Sequence, residues 1–265
     1  MYIVFSSHRL HLSSRVCRAK YTSPGSSIYY YSVEWDASEL SWEDFRAKVL
    51  GATDPEQAAS GSMRKEILQR WEALGLPSKP NVGDNGVHGS ASPLEGLAER
   101  LNWLDETLEV DPTGHALLEA GVKLDTLKAW AKDAQVDVDG TMTSVFDAFE
   151  DLSIGPALKL AQKLGGDPFE EPPKFSKNQA FIFIKPHANT VSARAMVKGQ
   201  LREHSISVVD EGEIDAKTIL SKKLIDTHYY AIANKASLSK PFELNVPAGK
   251  QAEFAAKFGV EWSTA

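Results

Sequence analysis

The run Asn85-Gly86-Val87-His88-Gly89-Ser90-Ala91-Ser92, followed by a helix-like segment through Glu99, constrains this chain more than any other stretch. Glycines on both sides of Val87-His88 mark a tight strand end that other backbone approaches closely. Ser92-Pro93-Leu94-Glu95 then opens a helix, with serine as cap, proline at the first helical position and an acid in the first turn. Leu94, Leu97, Leu101 and Leu104 continue it at helical spacing. Glu99 falls on this helix eleven residues after His88, where it can return beneath the ring. A histidine whose one ring nitrogen is fixed by an acceptor can offer the other to a phosphate. Glu99 is the natural acceptor, and Ser90 is placed to orient it. A lone histidine at a strand end is more often structural, so the chemistry is read from the octapeptide, the cap and the acid together.

The rest of the chain sets the frame. At 265 residues it can hold one large domain or two modest ones. A net charge of -7 argues against a general nucleic-acid binder, so no specific nucleic-acid partner is expected. The single cysteine, Cys17, excludes an internal disulfide and a cysteine-based zinc site. No apolar run reaches the roughly 18 residues that span a bilayer, so no membrane partner is expected. Residues 1–33 lack Asp and Glu but carry Arg9, Arg15, Arg18 and Lys20 among many serines. That is transit-peptide composition, a disordered tail and an extended gene start being the alternatives. The expected location is cytoplasmic, or an organelle matrix if residues 1–27 act as a transit peptide.

Periodicity divides the chain into four parts: a tail over 1–27, a block over 28–104, a segment over 105–175, and a block over 176–265. In the first block, 28–35 predicts a strand, 41–50 a helix capped by Ser41, and 64–74 a short helix. Residues 105–166 predict helices throughout, and 168–173 an acidic, proline-rich linker. In the last block, 180–184 and 206–209 predict strands, while 190–204, 216–236 and 249–258 predict helices. The expected fold class is α+β. Taken in the order 180–265 then 28–104, the two blocks predict one antiparallel ferredoxin-like sheet with helices on one face, interrupted by an all-helical insertion.

The His88 octapeptide with Glu99 resembles the active-site signature of the nucleoside diphosphate kinases. Val49-Leu50-Gly51-Ala52-Thr53-Asp54-Pro55 and Gly61-Ser62-Met63-Arg64 resemble that family's phosphate-gripping loop, and Phe183-Ile184-Lys185-Pro186 its first strand. In the family the lysine-proline strand precedes the histidine; here it follows, so the resemblance is to a circularly permuted member. It implies a phosphotransferase that moves the γ-phosphate of a nucleoside triphosphate to a nucleoside diphosphate through a phosphohistidine at His88. Lys185, Glu99, Ser90 and Tyr229 are the implied catalytic residues, with Tyr230 a register alternative for Tyr229. Thr53, Arg64, Asn85, Arg46 and Phe242 are the implied nucleotide contacts, Asn85 on the sugar side and Phe242 against the base. The implied cofactor is Mg2+, bound with the nucleotide rather than in a protein cage.

The match departs at several places. The family's second arginine stands four residues before the glycine matched by Gly51, where this chain has Ala47 between Arg46 and Lys48. A shift of one residue on an α-helix turns a side chain by about 100°. Ala91 replaces an aspartate of the family's loop, and His187 the acid that follows lysine-proline. The stretch between Arg64 and Asn85 is lengthened where the family makes subunit contacts, so the family's hexamer or tetramer does not carry over, and a homo-oligomer stays an open alternative. The 105–175 segment has no counterpart. A catalytically weak nucleotide-binding scaffold and a phosphohistidine relay to a protein are the alternative functions.

Overall fold

A computed structural model describes residues 18–165 and 176–229, with residues 251, 254, 255 and 260. Its central feature is a four-stranded sheet in the order β2-β5-β1-β6, with every neighbour antiparallel. The strands are β1 (Ser27–Asp36), β2 (Val87–Gly89), β5 (Lys177–Ile184) and β6 (Ser207–Asp215). All four fall where the sequence predicts strands, with β6 running six residues past its predicted end at 209. The class is α+β. The most apolar strand, β5, lies inside the sheet, where both its edges are paired.

Alternation along β1 and β5 builds two different faces. Tyr31, Val33 and Trp35 with Ala180, Ile182 and Ile184 enter one core cluster. That face is covered by α1 (Trp42–Asp44) with its π-helical continuation Phe45–Leu50, by α2 (Met63–Gln69) and by α8 (Val191–Glu203). Trp35 anchors it, its ring centroid 5.1 Å from that of Trp42 and 4.5 Å from that of Phe45. Phe181 and Phe183 point to the opposite face, where Trp103, the last residue of α3 (Pro93–Trp103), packs on both rings at 6.3 and 5.4 Å. Helical cover on one face alone is therefore a correction: the alternation of large aromatics on β5 makes both faces apolar, and both are covered.

The segment after α3 also departs from the expectation. It contains α4 (Pro112–Glu119), α5 (Leu124–Trp130), α6 (Val145–Phe149) and α7 (Ile154–Gly165), but also a β-hairpin of β3 (Gln135–Val138) and β4 (Thr141–Ser144). The insertion is thus not all-helical. Asp139 and Gly140 form the two-residue turn with φ of 53° and 88°, the positive pair that matches the twist of a hairpin. A second core joins these elements to Leu94 and Leu97 of α3. In the last block the described part of the predicted 216–236 helix is two short ones, α9 (Ala216–Ser221) and α10 (Leu224–His228), broken at Lys223 with φ of 56°, and residues 230–236 lie outside the described residues. The predicted 249–258 helix lies almost wholly outside the described residues.

Residues Tyr21–Leu224 form one compact unit by their contacts. The described residues of Met1–Lys20 and Ile225–Ala265 belong to a second, in which Arg18 pairs with Asp226 at 2.6 Å.

The insertion is tied to the sheet by buried polar groups. Arg100 of α3, 2% exposed, donates from Nε and Nη2 to Asp111, which is fully buried, at 2.6 and 3.0 Å. Asp111 in turn caps α4, accepting the N–H groups of Thr113 and Gly114. Asn178 on β5, also buried, accepts the Ile154 N–H at the start of α7. Removing one partner of a buried pair leaves the other charge unpaired, so Asp111→Ala is expected to lose about 3–5 kcal/mol of stability in denaturant unfolding. A loss below about 1 kcal/mol, the worth of an exposed pair, would remove this pair as the tether.

Candidate active site

The His88 site is assembled where β2 meets β5. Val87 pairs with Ile184 and His88 with Phe183, so the histidine shares a sheet face with Phe183. The two rings stack at 4.7 Å and 24°. Gly86 has a φ of 91°, and a Cβ there would fall 2.6 Å from Ile67, so only glycine brings the chain into β2 this closely. His88 Nε2 lies 2.5 Å from Glu99 Oε1, with His88 19% and Glu99 5% exposed. The Ser90 hydroxyl lies 2.6 Å from Glu99 Oε2 and accepts the Phe181 N–H at 2.9 Å. The structure brings these three residues together: the Glu99 carboxylate meets the His88 ring with one oxygen and the Ser90 hydroxyl with the other.

Burial, then the charges of Lys185, Arg64 and Arg46, push the His88 pKa well below its ordinary value. The ring is therefore neutral at physiological pH. With Nε2–H donated to Glu99, the nucleophilic lone pair belongs to Nδ1. The same shift places Lys185, Arg64 and Arg46 within electrostatic reach of the ring. Lys185 arrives because β5 ends there, its N–H donating to the Gly86 carbonyl at 2.9 Å.

Arg46 reaches this group by an unusual backbone route. The Gly51 N–H donates to the Arg46 carbonyl, five residues earlier, at 3.0 Å. In an α-helix the acceptor would be Ala47. The π-turn absorbs one residue and gives Arg46 the place relative to Gly51 that regular helix geometry gives Ala47. Gly51 is itself obligatory, since its φ is 88° and a Cβ would collide with Ser62. Arg46 Nη1 donates to Glu150 and Asp151, both from the insertion, at 2.8 and 2.6 Å.

Arg64 behaves differently from a free phosphate fork. Its Nη1 donates to the Gly51 carbonyl at 2.7 Å, and its Nε and Nη2 to the Val87 carbonyl at 3.3 and 3.2 Å. Burial and Arg46 lower its pKa to about 10, so it stays charged at neutral pH while it clasps the loop to β2. Thr53 is exposed on that loop, and its carbonyl accepts from Asn85 Nδ2 at 2.9 Å. Asn85 is 2% exposed, and its Oδ1 has no hydrogen-bond partner among the described residues. His187 accepts the Gly86 N–H through Nε2 at 3.2 Å, a structural role where the resemblance would place an acid. Tyr229 belongs to the second unit, where its ring meets His228 and its N–H donates to Ile225. Phe242 lies outside the described residues.

Three features escaped the sequence. Phe183 stacks on His88, a contact that its place in the first-strand motif did not announce. Glu150 and Asp151 reach Arg46 from another part of the chain, with no local signal. Glu95, one helical turn before Glu99, has its pKa raised to about 8 by burial and by Glu99.

Over a segment of 60 residues the chain is 38% identical to a nucleoside diphosphate kinase of Agrobacterium fabrum. The segment covers 23% of this chain and about a third, 35%, of that protein. No family model matches the chain, and no solved structure matches it.

Glu95 yields a pH test. Its folded pKa lies above the ordinary 4.5, so the folded chain holds the proton more tightly than the unfolded one. Its contribution is complete below 4.5 and lost as pH rises to about 8. Glu95→Gln is expected to flatten the fall in stability over that window, measured by urea unfolding at a series of pH values. An unchanged profile would place the fall elsewhere.

Proposed function

We propose that the chain is a nucleoside diphosphate kinase with a permuted order of its two halves, residues 176–265 corresponding to the first half and 28–104 to the second. The observation that carries this is His88, stacked on Phe183 with Nε2 held by Glu99, its pKa lowered by burial and then by the charges of Lys185, Arg64 and Arg46. The sheet order β2-β5-β1-β6 supports the permutation, because it is the antiparallel order obtained when the chain is read from β5 through β6 to β1 and β2. The 60-residue similarity supports the family.

His88 Nδ1 attacks the γ-phosphorus of a nucleoside triphosphate. The N–P bond forms as the bond to the β-phosphate oxygen breaks, and the diphosphate leaves with that electron pair. Nε2–H stays on the ring, and Glu99 stabilises the positive charge that develops there. A second nucleoside diphosphate attacks the phosphorus through its terminal oxygen, and the N–P electrons return to Nδ1. Lys185, Arg46 and Arg64 offset the charge of the phosphates, with Thr53 on the loop edge. The unpartnered Asn85 Oδ1 suits a hydroxyl donor such as a sugar. Mg2+ fits as a passenger on the nucleotide, whose phosphates and water supply its oxygen ligands while the cations around His88 suit the phosphate.

A weak or inactive nucleotide-binding scaffold is the competing function, favoured by Arg64, which spends three donors on backbone carbonyls. Incubation with γ-labelled ATP and magnesium separates the two. Acid-labile label on the wild type, absent from His88→Ala and chased by added diphosphate, is expected. Glu99→Gln should label about 10- to 1,000-fold more slowly, as lost charge stabilisation does elsewhere. ATP binding without label would leave the scaffold.

A further inference from the structure

The insertion reaches into the site through one guanidinium. Arg46 Nη1 donates to both Glu150 Oε1 and Asp151 Oδ1, and among the described residues Nε and Nη2 make no hydrogen bond. Neighbouring residues rarely aim at one atom. Here Asp151 has a φ of 63°, which folds the chain back after α6 so that the two carboxylates converge. The Asp151 N–H donates to the Ala91 carbonyl at 3.0 Å, pinning this turn to the loop between Ser90 and the helix that carries Glu99. Burial lowers the Arg46 pKa, but the bonds to Asp151 and Glu150 more than offset it, so the guanidinium is firmly charged. The same charge is felt by His88, Arg64 and Glu95.

We propose that Glu150 and Asp151 are positioning residues for Arg46, holding one Nη so that the Nε–Nη2 edge is presented to a nucleotide phosphate at His88. The inference rests on the kinase function above. An arginine side chain loses rotamer entropy when it is held, and fixing it before the ligand arrives removes that cost from binding. The Nε–Nη2 edge is a two-donor fork suited to two phosphate oxygens. The acids engage the other nitrogen and are themselves 47% and 43% exposed, so solvent screens their repulsion of the phosphate more than it loosens two direct hydrogen bonds.

The test is calorimetric binding of MgADP to the full chain, with KM and kcat measured alongside. The variant Glu150→Gln/Asp151→Asn should bind MgADP about 2- to 30-fold more weakly, the range that two exposed-pair energies convert to. KM should rise while kcat stays within about twofold, as expected when binding shared by ground and transition states is lost. In an Arg46→Ala background the same substitutions should change nothing further, because their effect passes through Arg46. Tighter binding by the double variant would make the acids competitors of the phosphate and overturn the proposal. So would unchanged binding, or an equal loss in the Arg46→Ala background, which would mark a merely structural effect. Wild-type protein that binds no MgADP would overturn the kinase function itself, and this inference with it.

Discussion

The sheet depends on the pairing of β5 with strands from the other end of the chain. Its residues 177–184 lie between β1 and β2, with both edges hydrogen-bonded. Three parts of the His88 site are attached to that pairing. Phe183 lies under the ring, the Phe181 amide holds Ser90, and Lys185 leaves the strand beside Gly86. Without β5, β2 would be a three-residue strand with no partner and Glu99 would have no fixed ring to meet. The near-continuous apolar run AFIFI is the chemical basis for this position: a strand covered on both faces and paired on both edges can carry such residues without exposing them.

Electrostatics at the site is a balance rather than a plain cationic pocket. Lys185, Arg64 and Arg46 act on a neutral histidine, while Glu99, Glu150 and Asp151 supply three carboxylates. Glu95, with a pKa near 8, adds little negative charge at neutral pH. Burial first, and then the charge of Arg46, depress the Arg64 pKa. Counter-charges close by let the three cations coexist before any phosphate arrives.

What the sequence revealed follows the range of the interactions. His88, Ser90 and Glu99 lie within twelve residues, and a cap, a proline and leucine spacing determine their geometry. β1 and β5 declare themselves by composition. Arg46 looked misplaced because residue counting assumes 3.6 residues per turn, and nothing in FRAKVL announces a π-turn. Arg64 was named from its loop motif, but its backbone carbonyl partners belong to tertiary structure. The 135–144 hairpin carried its own signal in Asp139-Gly140, which was masked by apolar residues that also suit helices. The break at Lys223 had none, since lysine is an ordinary helix former. The convergence of Glu150 and Asp151 on Arg46 joins positions more than a hundred residues apart, beyond any local pattern.

The interior place of β5 also orders events in time. During synthesis the first hundred residues emerge carrying the histidine, its acid and its serine, yet the strand that organises them is still unmade. The insertion, with its short hairpin and local helix contacts, can settle first. The histidine half-site must stay open until residue 185 has left the ribosome, and β5 must then enter between two strands already present. A chain stopped anywhere before that point would hold the whole histidine motif without the strand that assembles its surroundings.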